Sequence, residues 1–263
     1  MLARWAGLAV EELVREAEPV IDECGNLPLA LAMIGAQLKG KPAGHWEIVL
    51  RHLRRADLAK VTARFPEPHT TLLRAIQVSF EALRDEDPIA ARRYLELAVL
   101  LEDMVVVPVV QQALWNVDEW EALETADRFV GLSLAKRDAD GGGIRLHDLQ
   151  LDFVRAQYPN PKALELVRAA VRLSEHVIKN DQQQFASQMA GRLLAYRDRK
   201  AIREFVERIG AFTLRPWLRP LGPSLTAPGT GLIRVLTGHD ELIFSVALSG
   251  DGKVVFQRPR TGQ

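Results

Sequence analysis

The sequence predicts a mainly α-helical protein with a β-hairpin near its middle and a short β segment at its C-terminal end. Three observations support this prediction. Apolar residues recur at helical spacing through most of the first 210 positions. A loop rich in Gly and Asp separates two short apolar runs within 132–146, and the apolar period changes to two after residue 231. We therefore expect helices, then a hairpin, more helices and a final group of strands.

Composition is that of an ordinary globular chain. Of the 263 residues, 48% are hydrophobic and 26% are charged, and no apolar run is long enough to span a membrane. The first residues lack the pattern of a secretory signal. The single cysteine, Cys24, excludes an internal disulfide and favours a cytoplasmic location. We interpret Cys24 as a small buried hydrophobe rather than a reactive thiol.

The zero net charge hides two segments of opposite sign. Residues 70–154 hold 8 Lys/Arg and 16 Asp/Glu, whereas residues 155–220 hold 13 and 6. An acidic segment followed by a basic one is consistent with two modules that dock on each other. Unrelated solvated faces explain the same pattern equally well.

The N-terminal part, 1–65, is predicted to be a helical domain. Helices are expected over 8–23 and 44–58, and a buried helix between them starts at Pro28, where a missing N–H costs nothing. Gly40 and Pro42 end that helix. The hinge-like segment Phe65-Pro66-Glu67-Pro68 marks the first domain boundary.

The next domain, 66–157, is predicted to combine helices with a hairpin. Helices are expected at 70–83, 88–101, 108–114 and 118–130, with short strands at 105–107, 132–137 and 143–146. The loop between the last two strands is rich in residues that tolerate positive φ. Several helices followed by a two-stranded wing are typical of a winged helix.

Three further segments complete the chain. Helices at 161–179, 181–196 and 199–210 indicate a helical linker bundle at 158–215. Residues 216–231 contain four prolines and are interpreted as a Pro/Gly linker. In the last segment, 232–263, period-two strands are expected at 232–236, 242–248 and 254–256.

One segment imitates a phosphate-binding loop. Gly35-Ala36-Gln37-Leu38-Lys39-Gly40-Lys41-Pro42 ends in proline where Ser or Thr must coordinate magnesium. It also lies at a helix C-terminus, whose dipole repels anions.

No catalytic triad, metal-ligand cluster or paired-carboxylate site is evident, so we predict that the chain is not an enzyme and holds no metal.

Two short motifs carry the functional signal. Gly25-Asn26-Leu27-Pro28-Leu29-Ala30-Leu31 opens the buried helix, and Leu146-His147-Asp148 closes the predicted hairpin. We expect Asp148 to cap the following helix and to aim the imidazole. The motifs resemble the G-L-P-L and M-H-D motifs of the NB-ARC family of STAND signalling ATPases, within it the apoptotic protease-activating factor family. For the first motif, the alternative is that Pro28 only starts a buried helix. For the second motif, the alternative is that His147 is a purely structural histidine.

This resemblance implies roles for the motif residues. Pro28 would pack on the adenine ring, and His147 would donate a hydrogen bond to the β-phosphate of ADP, supported by Gly25, Leu27 and Asp148. ADP or ATP is then the cofactor of the intact family. The Walker A loop, the Walker B strand and the arginine sensor are missing from these residues. We therefore expect a truncated module without hydrolysis and without tight nucleotide binding of its own.

A third motif lies in the last segment. Gly238-His239 followed by Ser249-Gly250-Asp251-Gly252 resembles the start of a WD-repeat blade. Such a repeat needs about 40 residues, whereas 26 remain from Gly238 onward and the Trp-Asp ending is absent. We expect an incomplete β-blade.

Three functions compete at this point. The resemblance implies a nucleotide-sensing regulatory module of a signalling switch, with protein partners or self-association. A winged helix also permits DNA binding, but helix 118–130 carries five acids against Arg128 alone, so no nucleic acid is expected. The third possibility is a protein-interaction scaffold built on the basic helices 161–210.

Overall fold

The computed structural model describes residues 1–56, 70–139, 142–211 and 220–230, together with two strands within 243–259. The described part is mainly helical, as the apolar spacing predicts. In chain order the helices are α1 (Leu2–Ala6), α2 (Ala17–Glu23), α3 (Pro28–Leu38), α4 (Ala43–Arg55), α5 (Thr70–Glu86), α6 (Pro88–Glu96), α7 (Pro108–Trp115), α8 (Glu119–Gly131), α9 (Asp148–Gln157), α10 (Pro161–Asn180), α11 (Phe185–Leu193) and α12 (Lys200–Ala211). No helix among the described residues is long and apolar enough to cross a bilayer.

Helix starts follow the chemistry of their first residues. Four helices, α3, α6, α7 and α10, begin with proline, whose fixed φ suits the first helical position. Asp87 caps α6 by accepting hydrogen bonds from the N–H groups of Ile89 (3.1 Å) and Ala90 (2.9 Å). Asp118 caps α8 in the same way through Glu121 N–H (2.9 Å).

The predicted helix at 8–23 is wrong over its first half. Val10–Glu12 forms a 3-10 turn, and the α-helix begins only at Ala17. The side chain of Glu12 accepts a hydrogen bond from Ala9 N–H (2.8 Å), which closes a short turn locally. Val10 is 70% exposed, so this apolar position contributes nothing to a buried helical face.

Two other predicted helices are shorter than expected. The one predicted at 88–101 ends at Glu96 and passes into a 3-10 turn, Leu97–Val99. The one predicted at 181–196 is α-helical only as α11, with 3-10 turns at Gln182–Gln184 and Leu194–Tyr196.

The central hairpin is smaller than the sequence suggests. Strand β1 (Lys136–Arg137) pairs antiparallel with β2 (Ile144–Arg145), and Val106 adds an isolated bridge to Ile144 in place of the predicted strand at 105–107. The predicted strand at 132–137 is wrong before residue 136. Ser133 has a positive φ of 55°, and the N–H groups of Leu134 and Ala135 both donate to the carbonyl of Phe129, so 132–135 form a tight turn after α8.

An aromatic cluster holds the hairpin on the helices around it. Tyr94 lies 5.2 Å from Phe129 and 6.2 Å from Phe80, measured between ring centroids. Phe80 in turn lies 5.5 Å from Phe153, edge to face. The buried hydroxyl of Tyr94 donates to the carbonyl of Leu134 (2.9 Å). The turn that precedes β1 is therefore fixed from inside the core.

The acidic and basic segments dock on each other, as one of the two interpretations of their charge predicts. Arg208 on α12 pairs with the buried carboxylate of Glu96 on α6 (2.6 Å). Arg168 on α10 lies 3.6 Å from Glu102, which also pairs with Arg155 (2.6 Å). One continuous hydrophobic core runs beneath these pairs.

Residues 220–230, called the strap below, pack against α11. The N–H groups of Ser224 and Leu225 both donate to the carbonyl of Gly191 (3.3 and 3.2 Å). Buried Arg192 donates to the carbonyl of Thr226 (2.9 Å), and Tyr196 donates to that of Pro228. This part of the predicted linker is thus attached to the helical segment.

A second antiparallel hairpin lies near the C-terminus. Strand β3 (Ile243–Leu248) pairs with β4 (Val255–Pro259). These strands match the predictions at 242–248 and 254–256, with β4 extending three residues further. The predicted strand at 232–236, the Gly238-His239 pair, the turn at 249–252 and the hinge at 65–68 lie outside the described residues.

Candidate functional site

The first motif starts α3 at the protein surface. Gly25 and Asn26 both have positive φ (59° and 56°) and turn the chain, Leu27 is extended, and Pro28 begins the helix. Gly25 through Pro28 are exposed, whereas α3 is buried from Ala30 to Ala36. The helix itself is buried as predicted, but its first turn is not, so the alternative of a buried helix start does not describe Pro28.

The second motif forms the start of α9, with the capping role on a different residue than expected. His147, not Asp148, is the N-cap: its Nδ1 accepts a hydrogen bond from Leu149 N–H (3.2 Å), and Asp148 is the first helical residue. Since Nδ1 acts as an acceptor, the neutral ring carries its proton on Nε2. The exposed imidazole therefore offers one N–H donor to its surroundings.

Gln150 fixes the position of this turn, and sequence reasoning missed it. Its side chain is buried, accepts a hydrogen bond from His147 N–H (3.0 Å) and donates to the carbonyl of Ser133 (2.8 Å). The same amide nitrogen lies 4.0 Å from the sulfur of Met33 on α3. One side chain thus contacts both the histidine turn and the helix of the first motif.

A cavity of about 530 Å³ lies between these two motifs. One wall comes from α1 and α3 through Trp5, Leu29 and Ala32, and the other contains His147 and Asp148. The volume is in the range of small-molecule sites. Gly25, Leu27 and Pro28 are not lining residues; the first motif reaches the cavity through Leu29, which follows Pro28 directly.

Two further polar groups in the cavity wall lack partners. The hydroxyl of Ser133 and one terminal guanidinium nitrogen of Arg137 are buried without a hydrogen-bond partner, and both residues line the cavity. Buried polar groups are normally satisfied, so these two atoms are exceptions within residues that line the cavity. Nothing in the sequence singles out Ser133; the basic pair at 136–137 was the only available signal for Arg137.

Cations outnumber carboxylates around the cavity. Lys136, Arg137 and Arg145 line it together with Asp103 and Asp148. Arg137 also pairs with Asp127, and Arg145 with Asp138 (2.9 Å). Lys136 forms no ion pair with any described residue. Lys136 is thus the lining cation that stays unpaired among the described residues, and it lies in the same wall as Asp103 and Asp148.

The described residues contain no grouped metal ligands, and their cysteine is buried. They contain no cluster of three or more His, Cys, Asp or Glu side chains able to hold a metal. Burial, and secondarily the charge of Glu23, raises the pKa of Cys24 to about 12, and the thiol is fully buried. Cys24 is therefore a small core residue, as predicted, and not a nucleophile.

Comparison with known proteins finds relatives of two kinds, apoptotic protease-activating factors and plant disease resistance proteins. The chain is 30% identical over 156 residues, 59% of its length, to apoptotic protease-activating factor 1 of Homo sapiens. It is 29% identical over 174 residues to the Danio rerio protein of that name, and 33% identical over 123 residues to disease resistance protein ADR1 of Arabidopsis thaliana. The similarity supports an NB-ARC-like family.

The extent of this NB-ARC-like match is limited. It covers 65% of the chain in the zebrafish comparison and 45% in the plant one, but only 12 to 14% of the length of these relatives. No protein-family model matches the chain. The similarity supports a signalling NB-ARC-type module.

Proposed function

We propose that the chain is a nucleotide-sensing regulatory module of an NB-ARC signalling switch, without catalysis of its own. The observation that carries this proposal is the cavity between α3 and the His147 turn. It joins two parts of the chain that are far apart in sequence, so a ligand that contacts both walls stabilises the arrangement in which they meet. By the resemblance stated above, the ligand in the intact protein is ADP or ATP.

The donors around the cavity fit an anionic group. Ser133 Oγ and the free nitrogen of Arg137 are buried polar atoms without partners, and His147 presents its Nε2–H because Nδ1 is engaged by Leu149. Hydrogen bonds from such donors to a phosphate oxygen are charge-assisted and short. When bound, the nucleotide supplies the negative charge and an apolar ring.

The apolar wall fits the remainder of such a ligand. Trp5, Leu29 and Ala32 line the same cavity as the basic strands and offer hydrophobic surface. Pro28 lies exposed just outside, where its ring presents an apolar face without a competing N–H donor. Gln150 orients His147 through the backbone hydrogen bond described above, so the donor is held in place before any ligand arrives.

The finer organisation belongs to the same proposal. We assign 66–157 to a winged helix with the β1–β2 hairpin as its wing, and 232–263 to an incomplete WD-repeat blade. The module acts in the cytoplasm and functions through protein partners or self-association. Without a phosphate-binding loop it binds nucleotide weakly.

A titration of the 263-residue chain with ADP, followed by NMR, tests this function. We expect ADP-dependent shifts at Ser133, Arg137 and His147 with a dissociation constant of about millimolar or weaker. Adenosine, which lacks phosphate, should not shift these signals. Ser133→Ala should reduce the shifts, whereas Ser187→Ala, which removes a half-buried hydroxyl on α11 that donates to the carbonyl of Gln184, should leave them unchanged.

Two results contradict the proposal. If no signal from a cavity residue shifts at the highest ADP concentration that dissolves, the chain has no nucleotide site at the cavity. A micromolar dissociation constant in calorimetry, or release of phosphate from ATP, removes the claim that the chain lacks tight binding and catalysis.

DNA binding is the second candidate function, and the charge of α8 opposes it. Residues 118–131 carry Asp118, Glu119, Glu121, Glu124 and Asp127 against Arg128, so a duplex would be repelled. A salt-sensitive complex in a mobility-shift assay would reverse this ranking.

A scaffold role of 158–215 is tested by pull-down with and without these helices.

A further inference from the structure

Another, smaller cavity lies beside the segment 101–105, which precedes the bridge residue Val106. This cavity, called the loop cavity below, has a volume of about 240 Å³ and is lined by 101–105, by α10 and by the turn that follows α10. Its lining residues outside 101–105 are Val171, Glu175, Ile178, Lys179 and Gln182. At about 30 Å³ for each water-sized group, the volume accommodates about eight non-hydrogen atoms. The loop cavity is therefore suited to a small organic group and is too small for a nucleotide.

Apolar side chains form about half of the lining of the loop cavity. Leu101, Val171 and Ile178 are buried and belong to the hydrophobic core, and Met104 and Val105 are half-buried. An alkyl chain that lies against this wall leaves water, and each buried methylene adds to the binding free energy. The wall therefore favours a ligand with a short apolar stem.

The charged groups of the loop cavity leave one carboxylate without a partner. Glu175 pairs with Lys179 (2.7 Å), and Glu102 is held by two arginines, as described above. Asp103 is exposed and forms neither an ion pair nor a hydrogen bond with a residue that the structure describes. The loop cavity therefore presents a free negative charge together with its apolar wall.

The backbone on both sides of Asp103 is anchored. Its φ of 60° lies in the left-handed region, which aspartate adopts more readily than most residues. On the N-terminal side, Arg155 donates to the carbonyl of Leu100 (2.7 Å). On the C-terminal side, Val106 and Ile144 exchange two backbone hydrogen bonds (2.8 and 3.0 Å). The turn that carries the carboxylate is thus held in place before a ligand binds, which lowers the entropic cost of binding.

We propose that the loop cavity binds a small organic cation, a guanidinium or ammonium group on a short alkyl stem. The cationic head pairs with Asp103, and the stem lies against Val171 and Ile178. A free small molecule and the side chain of an arginine or lysine in a peptide share this chemistry. Asp103 also lines the cavity between the two motifs, but the cation needs no nucleotide, so its binding is independent of the function proposed above.

An NMR titration of the 263-residue chain with butylguanidinium, whose size matches the loop cavity, tests this site. We expect shifts at Val171 and Ile178 with a dissociation constant of about millimolar, and weaker binding at high salt because an exposed ion pair is screened. Butylurea has a similar shape without the charge and should bind about fivefold more weakly. Guanidinium ion lacks the alkyl stem and should bind at least about tenfold more weakly.

Substitution of Asp103 tests the partner of the cationic head. Asparagine also tolerates a positive φ, so Asp103→Asn should keep the turn, lose the charge and bind butylguanidinium about fivefold more weakly. Asp198→Asn removes the same charge from an exposed residue that lines neither cavity and should bind as the unmodified chain does. Unchanged amide signals away from the substituted residue confirm that each variant is folded.

Acetylarginine amide distinguishes the two sources of the cation. If it binds as tightly as butylguanidinium, the loop cavity accepts an arginine side chain within a peptide. If only butylguanidinium binds, the ligand is a free small molecule, because the peptide groups then prevent entry. Both results are consistent with the proposal and assign its ligand.

Several outcomes overturn the proposal. If neither Val171 nor Ile178 shifts at any butylguanidinium concentration that leaves the chain folded, the loop cavity binds no such cation. Equal binding of butylurea means that the charge is not recognised, and unchanged binding by Asp103→Asn means that another group holds the head. Shifts confined to Leu29 and His147 would place the cation in the cavity between the two motifs.

Discussion

At the scale of single residues, His147 serves both as a helix cap and as a hydrogen-bond donor, and substitution separates the two. Its Nδ1 caps α9, and its Nε2–H remains available as a donor. His147→Ala removes the cap and should lower the free energy of unfolding by about 1 kcal/mol. His147→Asn keeps a capping acceptor and should stay within a few tenths of a kcal/mol of the unmodified chain.

Urea unfolding of the two variants, combined with the ADP titration, checks this separation. Both variants should reduce the ADP-dependent shifts at Ser133 and Arg137, since neither retains the Nε2–H. Equal stability of the alanine and asparagine variants would mean that the imidazole does not cap the helix. Retention of the shifts in the asparagine variant would mean that the ring donates nothing to the ligand.

The residues around His147 show what the sequence can and cannot reveal about the site. The motifs indicated His147 and Asp148, and the structure brings both to a cavity beside α3. Gln150 and Ser133 were not indicated, because their contact spans 17 residues and the approach of Gln150 to Met33 spans 117. Such contacts depend on how the helices pack and leave no local pattern.

At the scale of elements, prolines were the most reliable guides. The starts of α3, α6, α7 and α10 were predictable because proline is suited to the first helical turn. The prediction at 8–23 failed because helical spacing alone does not distinguish a continuous helix from a turn followed by a helix. The strand at 132–135 failed because a buried tyrosine hydroxyl fixes that segment as a turn.

The composition of the strap predicts a linker, whereas the structure packs residues 220–230 against α11. A substitution at Gly191 tests this attachment. A Cβ at Gly191 would lie 2.9 Å from Ser224 Oγ and 3.0 Å from Leu225. Alanine favours an α-helix over glycine by up to about 1 kcal/mol, so any loss here comes from the strap. Gly191→Ala should therefore displace 220–230 and speed hydrogen exchange at the Ser224 and Leu225 amides.

A matched control lies within the strap itself. A Cβ at Gly222 meets no atom within 4 Å, so Gly222→Ala should leave exchange at both amides as it is in the unmodified chain. If Gly191→Ala also leaves those amides protected, the strap is not held by its contact with α11. Limited proteolysis provides a second measurement, since a displaced strap becomes a substrate within 220–230.

At the scale of the whole molecule, charge segregation indicated docking but not its atoms. The basic segment supplies Arg208 to Glu96 and Arg168 to Glu102. The two carboxylates differ sharply in environment, because Glu96 is buried and Glu102 is half exposed. Counting charges along a sequence cannot distinguish these environments, and they determine how docking responds to pH.

The two glutamates should respond to acid in opposite directions. Burial raises the pKa of Glu96 and outweighs the charge and hydrogen bond of Arg208. Burial also raises the pKa of Glu102, but the hydrogen bond and charge of Arg155, a backbone hydrogen bond and the charge of Arg168 together lower it below its ordinary range. Ionised Glu96 therefore opposes folding at neutral pH, whereas ionised Glu102 supports it.

Urea unfolding of Glu96→Gln and Glu102→Gln from pH 7 downward tests these signs, because the change due to Glu96 lies above the ordinary glutamate pKa of about 4.3 and the change due to Glu102 lies below it. As pH falls, Glu96 becomes protonated first in the folded chain, so the stability of the unmodified chain should rise relative to Glu96→Gln. The advantage of the unmodified chain over Glu102→Gln should shrink, because the ion pairs of Glu102 are lost on protonation. Parallel pH profiles for both variants would show that the two carboxylates share one environment, and the buried pair between α6 and α12 would then not be the one that the structure describes.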